Sequence, residues 1–185
     1  MKKYELTEET VTVYGKTLYR IRAVRDFGSV KTGEFGGYIE KEENLSHFGN
    51  AWVSGNAWVF DNARVYDNAW VFGNAWVFGN AKVYDDAWVC GDAKVYGDAW
   101  VSGNAEVFNT RHFFVQGPIG SRNGFITFYR TKDNTVEVRC GCFSGSLQKF
   151  VDRVEETHGG SRYEKEYKLA AELAKVCIRL EGESR

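Results

Sequence analysis

Residues 49–108 repeat one six-residue pattern of polar and hydrophobic positions ten times, as GNAWVS, GNAWVF, DNARVY, DNAWVF, GNAWVF, GNAKVY, DDAWVC, GDAKVY, GDAWVS and GNAEVF. The alanine and the valine of each copy are two residues apart, so they point to the same side of a strand. A short unit at a fixed period gains a core only by stacking on its neighbours. The pattern therefore predicts a β-solenoid with alanine and valine inside and the Gly/Asp–Asn/Asp pairs at its corners.

The hydrophobic pattern before the repeat predicts an N-terminal β cap over residues 1–48. VTVY and TLYRIRAV alternate β-branched or aromatic residues with polar ones around a Gly15-Lys16 turn, which indicates a β-hairpin. The segment ENLSHF then predicts a degenerate first copy of the repeat, with Leu45 and His47 at the alanine and valine positions.

After the repeat, residues 109–185 predict a small α+β unit of the order ββαα. The run HFFVQGPIGSRNGFITFYR and the segment TVEVRCGC read as strands. Helical spacing then places two buried faces, the first on Leu147, Phe150, Val151 and Val154, the second on Tyr163, Tyr167, Ala170, Leu173, Ala174 and Cys177. His158-Gly159-Gly160 ends the first helix, and Ser161 with Glu164 forms a capping pair for the second.

The spacing of a small and an aliphatic residue at period six is similar to the left-handed β-helix of hexapeptide-repeat proteins. In that family three copies make one triangular coil, which implies a left-handed parallel β-helix of a little over three coils here. At the spacing of paired strands this prism would be about 15 Å tall. The whole chain also resembles uncharacterised hexapeptide-repeat proteins of bacteriophages and prophages, through MKKYELT, GGYIEKEENLS, GSRNGFITFYR and CGCF.

Three copies to a coil stack the outward residues eighteen apart into faces, two of them aromatic and the third mainly cationic. Aromatic stripes of this size exceed the apolar surface that a soluble monomer usually exposes. Either the terminal segments cover them, or they form a subunit interface, a trimer being the common arrangement of the resembling family, or they stack sugars or bases. The predicted interface residues are Trp52, Trp58, Trp70, Trp76, Trp88, Phe60, Phe72 and Phe78.

Composition narrows the class of partner. With 185 residues and a net charge of −1, binding to nucleic acid through overall charge is not expected. The N-terminus has no signal-peptide pattern and no stretch would span a bilayer, so the predicted location is the cytoplasm of a bacterial host, without a membrane partner. Four unevenly spaced cysteines agree with a reducing compartment.

Catalysis is not expected, and no cofactor or metal is predicted. The enzymes of the resembling family, acyltransferases and zinc carbonic anhydrases, depend on histidines that project from the coils, whereas residues 49–110 contain none. Cys140 and Cys142 with His158 and Cys177 have poor spacing for zinc. A transferase that uses His112 or His158 at a subunit boundary is left as an alternative.

The glycine-flanked loop GPIGSRNG is the strongest candidate binding site. Backbone amides beside an arginine suit an anion such as phosphate, although an ordinary turn with solvated charges has the same sequence features. The candidate residues for an anion or a nucleotide are Ser121, Arg122, Asn123, Arg130 and Arg139.

These observations predict a non-enzymatic, phage-derived binding protein. Its β-helix would oligomerise through the aromatic faces and present the C-terminal unit to a partner such as a host protein. The alternative is a binder of a nucleotide or phosphorylated small molecule that sequesters a host-defence signal, and a second alternative is a hexapeptide-type acyltransferase.

Overall fold

The computed structural model describes residues 2–181 and shows a mainly β protein, with a parallel β-solenoid and two C-terminal helices. Its strands are β1 (Tyr4–Val13), β2 (Lys16–Ala23), β3 (Phe35–Ile39), β4 (Trp52–Val53), β5 (Trp58–Val59), β6 (Arg64–Val65), β7 (Trp70–Val71), β8 (Trp76–Val77), β9 (Lys82–Val83), β10 (Trp88–Val89), β11 (Lys94–Val95), β12 (Trp100–Val101), β13 (Glu106–Val107), β14 (Phe113–Ile119), β15 (Gly124–Arg130), β16 (Val136–Cys140) and β17 (Phe143–Ser146). The helices are α1 (Leu147–His158) and α2 (Arg162–Cys177), and a 3-10 turn spans Glu42–Asn44.

The solenoid has three faces, because each short strand pairs in parallel with the strand eighteen residues further along. β4, β7, β10 and β13 form one face, β5, β8 and β11 the second, and β6, β9 and β12 the third. The alanine and the valine of every copy are at most 2% exposed, as the sequence pattern predicts. Only small and β-branched side chains fill this narrow interior, so the coils contain packed core rather than a channel.

The coil begins earlier than the regular repeat. Tyr38 and Ile39 of β3 pair in parallel with Trp58 and Val59, and Leu45 forms a parallel bridge with Val65. These additional rungs bring each face to four, so the solenoid has about four turns rather than a little over three.

The register of the first copy differs from the sequence-based prediction. Leu45 occupies the valine position and not the alanine position, because it lies opposite Val65, twenty residues later. His47 lies outside the core and stacks on the ring of Tyr4 at 4.3 Å between centroids. Two extra residues before Ala51 restore the eighteen-residue spacing, and no periodic signal marks them.

The N-terminal hairpin continues one face of the solenoid as a single sheet, in the order β1-β2-β3-β5-β8-β11. Its turn is Tyr14-Gly15, one residue before the predicted position. Both residues have positive φ, 47° and 77°, as a two-residue turn between twisted antiparallel strands requires. β3 belongs to both parts, since it pairs antiparallel with β2 and parallel with β5.

Ladders of asparagine side chains run along the three corners. The Nδ2 atom of each asparagine donates to the side-chain oxygen of the residue eighteen positions later, at 3.0–3.4 Å. The ladders are Asn50–Asn68–Asp86, Asn56–Asn74–Asp92 and Asn62–Asn80–Asp98. Each ladder ends at an aspartate carboxylate, which accepts a hydrogen bond and has no N–H group that would need an acceptor in turn.

The C-terminal unit covers the last coil with one face of a four-stranded antiparallel sheet, in the order β14-β15-β16-β17. The Trp100 N–H donates to Thr127 Oγ1 at 2.9 Å, and the Lys132 N–H donates to the Asn104 carbonyl at 3.0 Å. The predicted ββαα order is therefore ββββαα. The sequence pattern missed two strands because tight turns at 120–123 and 141–142 interrupt runs that read as continuous.

Both helices pack on the other face of this sheet. α1 ends at His158 and α2 begins after Ser161, whose side chain accepts from the Glu164 N–H, so the predicted boundaries are confirmed. The predicted buried face of α2 is partly wrong, because Leu173 is 47% exposed and the buried residues are Tyr167, Ala170, Ala171 and Ala174. The alanines let α2 lie close to its neighbours.

Candidate ligand-binding cavity beside the last coil

A cavity of about 590 Å³ lies where the C-terminal unit meets the last coil. We call it the cap cavity. Its walls come from the coil residue Trp100, the loop between β14 and β15, the turn between β16 and β17, and the helices α1 and α2. This volume lies within the range of small-molecule binding sites. The cavity exists because the C-terminal sheet covers the last coil of the solenoid without filling the space at the edge of that coil.

Three of the five residues predicted to bind an anion line the cap cavity together, namely Ser121, Arg122 and Arg139. Asn123 lies in the same loop at a positive φ of 47°, where asparagine is well tolerated, and is exposed without lining the cavity. The tertiary structure thus joins two segments, the loop and β16, that the sequence alone could only place near each other in the chain.

Arg130, the fifth predicted residue, lies elsewhere. Its side chain is 3% exposed, forms ion pairs with Glu106 at 3.1 Å and Glu181 at 3.0 Å, and lies 5.0 Å from the centre of the Phe108 ring. Its guanidinium is fully committed to tying the last coil to the C-terminal unit. Arg130 is therefore a structural residue, and the prediction that it joins an anion site is not supported by its position.

Arg139 reaches the cavity across the aromatic surface of the solenoid. Its guanidinium carbon lies 5.6 Å from the Trp100 ring centre and 5.8 Å from that of Tyr84. Its Nε atom is buried and has no hydrogen-bond partner among residues 2–181. Leaving a buried donor without an acceptor costs on the order of 1 to 3 kcal/mol.

The loop amides are less available than the sequence indicates. The Gly120 N–H donates to the Glu166 carboxylate at 2.6 Å, and the Asn123 N–H donates to the Gly120 carbonyl at 3.2 Å. Gly120 has φ +72°, and a Cβ there would lie 1.9 Å from the Tyr167 hydroxyl, so the loop is pressed against α2. Because a carboxylate of the chain already uses this amide, the arginine side chains remain as the main donors to an anion.

Sequence reasoning missed Arg153 of α1 as a polar residue of the cavity, and it named His158 of the same helix only for a zinc site or a transferase mechanism. Arg153 also forms an exposed ion pair with Glu156 at 3.3 Å. The available signal was helical spacing, since Arg153 and Thr157 are four residues apart on the helix and both line the cavity. His158 packs against Tyr167 at 5.6 Å between ring centroids, so it stands at the same wall.

The remaining lining is largely apolar and aromatic. Phe125, Phe143, Phe150 and Tyr167 line the cavity together with Trp100. Phe125 is 42% exposed, an unusual degree for a phenylalanine beside a cavity mouth. Aromatic walls with a few convergent cations match the general design of sites for organic anions.

Cys140 and Cys142 also line the cavity, as free thiols in the turn between β16 and β17. Cys142 is exposed, and burial raises the pKa of the Cys140 thiol above its usual range. Within residues 2–181 no group of three or more His, Cys, Asp or Glu side chains is placed to hold a metal ion.

The histidine named for a transferase mechanism at the coil end is buried. His112 is 8% exposed, its Nδ1 accepts from the Phe108 N–H at 3.2 Å, and its Nε2 lies 3.0 Å from the Asn109 amide nitrogen. Burial and the nearby Arg130 guanidinium lower the pKa of His112. Both ring nitrogens are occupied, so His112 is positioned to hold the connection between coil and cap.

The aromatic faces of the solenoid are covered unevenly. Trp52 is 0% exposed beneath Phe27, and Phe60 is 2% exposed in a cluster with the N-terminal hairpin. These two residues therefore have no surface left for a subunit contact, and the chain itself covers this part of the stripes. Four of the other predicted interface residues keep partial exposure, namely Trp58, Trp70, Trp76 and Phe78.

Trp88 is the least covered tryptophan of the repeat. It is 47% exposed, and Phe72, half-buried beside it, meets its ring edge-on at 5.8 Å between centroids. The N-terminal hairpin reaches Trp76, where Tyr14 lies 6.1 Å away, on a different face. Among the predicted interface residues, the most exposed aromatic surface is thus at Trp88, beside Phe72.

No helix within residues 2–181 has the length and hydropathy needed to cross a membrane.

Comparison with known proteins adds one finding about the solenoid. Residues 63–79 match the family model of the YdcK beta solenoid repeat, while a search of curated proteins found no match to the chain. The matched stretch runs from Ala63 on the third face to Gly79 and contains β6, β7 and β8. Over this stretch the chain is therefore similar to a known β-solenoid repeat, in agreement with the coil that the structure shows.

Proposed function

We propose that the protein is a non-enzymatic binding protein that holds a small phosphorylated ligand of the nucleotide class in the cap cavity. The observation that carries this proposal is the convergence of Arg122, Arg139 and Arg153 on one aromatic-lined cavity. The solenoid serves as the rigid support, because its interior is filled with alanine and valine and holds no ligand space.

The charges of the cavity favour an anion. The cavity lining contains three arginines, Arg122, Arg139 and Arg153, and one carboxylate, that of Asp98. His158 adds a further hydrogen-bond donor. The guanidinium fork matches the geometry of phosphate oxygens and forms paired, charge-assisted hydrogen bonds with them.

The aromatic walls favour a ligand that carries a planar ring beside its phosphate. Trp100 and the half-exposed Phe125 present ring surface to the cavity. Stacking of a base on an aromatic side chain contributes about 1 to 3 kcal/mol. A nucleotide combines both groups in one molecule, and the resemblance to phage proteins makes a nucleotide signal of host defence the physiological candidate.

Isothermal titration calorimetry on the full chain tests the proposal, with AMP, GMP, CMP and UMP as probes and with adenosine and inorganic phosphate as the separate halves. Binding of at least one nucleotide is expected, with an affinity above that of either half. The Arg122→Ala variant should weaken it about tenfold, as loss of a charge-assisted contact implies.

The matched control is Arg162→Ala, which removes an exposed arginine that pairs with Glu166 and lies outside the cavity lining. It should bind like the wild type. Absence of binding by all four nucleotides would overturn the proposal. Chromatography of the recovered nucleotide checks the non-enzymatic part, since conversion that depends on Arg122 or His158 would contradict it.

A second candidate function, self-association, follows from the exposed surface at Trp88 and Phe72. An edge-on aromatic pair with a 47% exposed tryptophan resembles the anchors of protein interfaces. The family resemblance favours a trimer. Sedimentation velocity at micromolar concentrations should show an oligomer that Trp88→Ser dissociates, whereas Leu169→Ser, at a 71% exposed site on α2, should not. A monomer at all concentrations would exclude this candidate.

A further inference from the structure

The third face of the solenoid carries a row of two cationic side chains and one tryptophan that leads to the cap cavity. Arg64, Lys82 and Trp100 stand opposite one another on the paired strands β6, β9 and β12. We call these three residues the third-face row. Two strand spacings separate its ends, about 10 Å at the distance typical of paired strands.

Close contacts join the row to the cavity. The Lys82 Nζ lies 4.2 Å from the centre of the Trp100 ring, and Arg139 lies over the same ring at 5.6 Å. Trp100 is thus flanked by one cation from the row and one from the cavity. Trp100 and Arg139 line the cap cavity and Lys82 does not, so Lys82 lies just outside the cavity lining, over the Trp100 ring.

The row also reaches a second depression at the N-terminal end. A groove of about 400 Å³ is lined by Arg64, Tyr66 and Lys82 from the third face and by Phe48, which is 82% exposed. Lys82 lines this groove and contacts Trp100, which lines the cap cavity. The groove and the cap cavity are therefore adjacent, with Lys82 between them. Stacked rings of Tyr66 and Tyr84, 4.9 Å apart, run beside the row.

Acidic residues stand at the margins of this path. Glu42 and Glu43 line the far wall of the groove, and Glu42 is paired with Lys2. At the corner beside Tyr84, the Asp85 carboxylate accepts the Gly103 N–H at 3.2 Å. The outward positions of the row itself carry two cations and a tryptophan, so a local cationic and aromatic path exists although the chain has a net charge of −1.

We propose that the third-face row extends the cap cavity into a track for a short oligonucleotide, with one nucleotide in the cavity and the next phosphate at Lys82 and Arg64. This inference rests on the proposed function, because the cavity must first hold a nucleotide. Cations spaced along a groove with aromatic rings between them are the general design for binding single strands without reading their sequence.

Binding of AMP, of the linear dinucleotide pApA and of cyclic di-AMP to the full chain tests the track by calorimetry. The linear dinucleotide should bind about tenfold more tightly than AMP, because it adds a phosphate contact and a stacked base. Lys82→Ala should remove most of that gain and leave AMP unchanged. The cyclic form has the same bases but cannot extend, so its affinity should not respond to Lys82→Ala.

The chain offers a matched control in Lys94→Ala. Lys94 lies 4.3 Å over the Trp76 ring, the same type of contact as Lys82 over Trp100, but on the second face. Lys94→Ala should leave the affinities for AMP, pApA and cyclic di-AMP unchanged. Equal binding of AMP and pApA, or equal effects of Lys82→Ala and Lys94→Ala, would overturn the track and leave the cavity proposal standing. Failure of AMP, pApA and cyclic di-AMP to bind would overturn the track, and failure of GMP, CMP and UMP as well would overturn the cavity proposal.

Discussion

The solenoid and the junction with its C-terminal unit solve the packing problem in opposite ways. Every coil of the solenoid places the same alanine and valine inward, and each is at most 2% exposed. The junction joins the last coil to a sheet of different strand length and direction, through single contacts such as that of the Trp100 N–H with Thr127. The first arrangement leaves no room for a ligand, whereas the second leaves a cavity of about 590 Å³.

Under the proposed function, this difference makes the solenoid the structural support and the junction the binding site. Every copy of the repeat places the same residue types in the core, so no copy has a binding site of its own there. The junction has no periodicity, and side chains from five distant segments converge there. Variation along the repeat matters only on its outward positions, where Trp88, Lys82 and Trp100 differ in exposure and contacts. Four variants and conditions test this separation.

The largest effect is expected from a charge inside the solenoid. Val77→Asp would place a carboxylate at a 0% exposed position without a partner, which costs several kcal/mol and should prevent folding. Circular dichroism during heating measures this. Lys94→Asp, at an exposed outward position, should unfold within a few degrees of wild type. A stable Val77→Asp protein would contradict the packed interior.

The second largest effect is a change of stability with pH. It depends on a buried residue beside the solenoid and not on the junction. Lys3 is 0% exposed and donates to the Ala51 carbonyl at 2.7 Å, and burial, followed by the charge of Arg25, lowers the pKa of its ammonium from 10.5 to about 8. The unfolded chain therefore binds more protons than the folded chain above pH 8. Stability gains about 1 kcal/mol per pH unit between pH 8 and pH 10 from this group.

Urea unfolding of wild type and Lys3→Met at several pH values isolates that gain as a difference. The comparison is needed because burial raises the pKa of the Cys90 thiol to about 11, which has the opposite sign above pH 9. The advantage of Lys3→Met over wild type should shrink as pH rises from 8 to 10. A constant difference would show that Lys3 keeps its ordinary pKa.

A smaller effect, confined to the junction, is expected from Phe125→Ala. This residue is 42% exposed and lines the cap cavity, so its loss should weaken nucleotide binding about fivefold through stacking while stability changes little. Calorimetry and a thermal melt measure the two quantities on one sample. Phe35→Ala, at a 50% exposed phenylalanine of β3, is the matched control. Equal affinities of the two variants would place the ligand away from Phe125.

The smallest effect is expected from one rung of a corner ladder. Asn74→Ala removes a donor to Asp92 and an acceptor for Asn56 at an exposed corner. Loss of such hydrogen bonds should lower the free energy of unfolding by about 0.5 to 1 kcal/mol. Urea unfolding measures the change, and nucleotide affinity should remain that of wild type. A loss as large as that of Val77→Asp would show that corners, not the interior, hold the coil.

The repeat shows how far sequence reasoning reached. The inward positions follow from period six, and the three faces with the stacking of Phe60 on Phe78 follow from the three copies per coil that the resemblance to hexapeptide-repeat proteins implies. The register of Leu45 did not follow, because the two extra residues that precede Ala51 leave no periodic trace. The same holds for β17, whose turn at Gly141-Cys142 is too short to interrupt the pattern of the strands.

The candidate site was predictable only in part. A glycine-flanked loop with Arg122 was visible in the sequence, and Arg139 was close enough along the chain to be included. Arg130 was included for the same reason and lies in an ion-pair network with Glu106 and Glu181 instead. Arg130 ends β15, whereas Arg139 lies on β16 opposite Thr127, so closeness in sequence could not show which of the two arginines reaches the cavity.

The sequence by itself determined the β-solenoid and its packed alanine and valine interior, because a fixed period repeats the same local choice in every copy. Its aromatic and cationic faces followed once the resemblance to hexapeptide-repeat proteins supplied three copies per coil. Only the tertiary structure decided which stripes stay exposed, where the C-terminal sheet lies and that Arg122, Arg139 and Arg153 share a cavity. Those outcomes depend on contacts between segments far apart in the chain, and no period connects such segments.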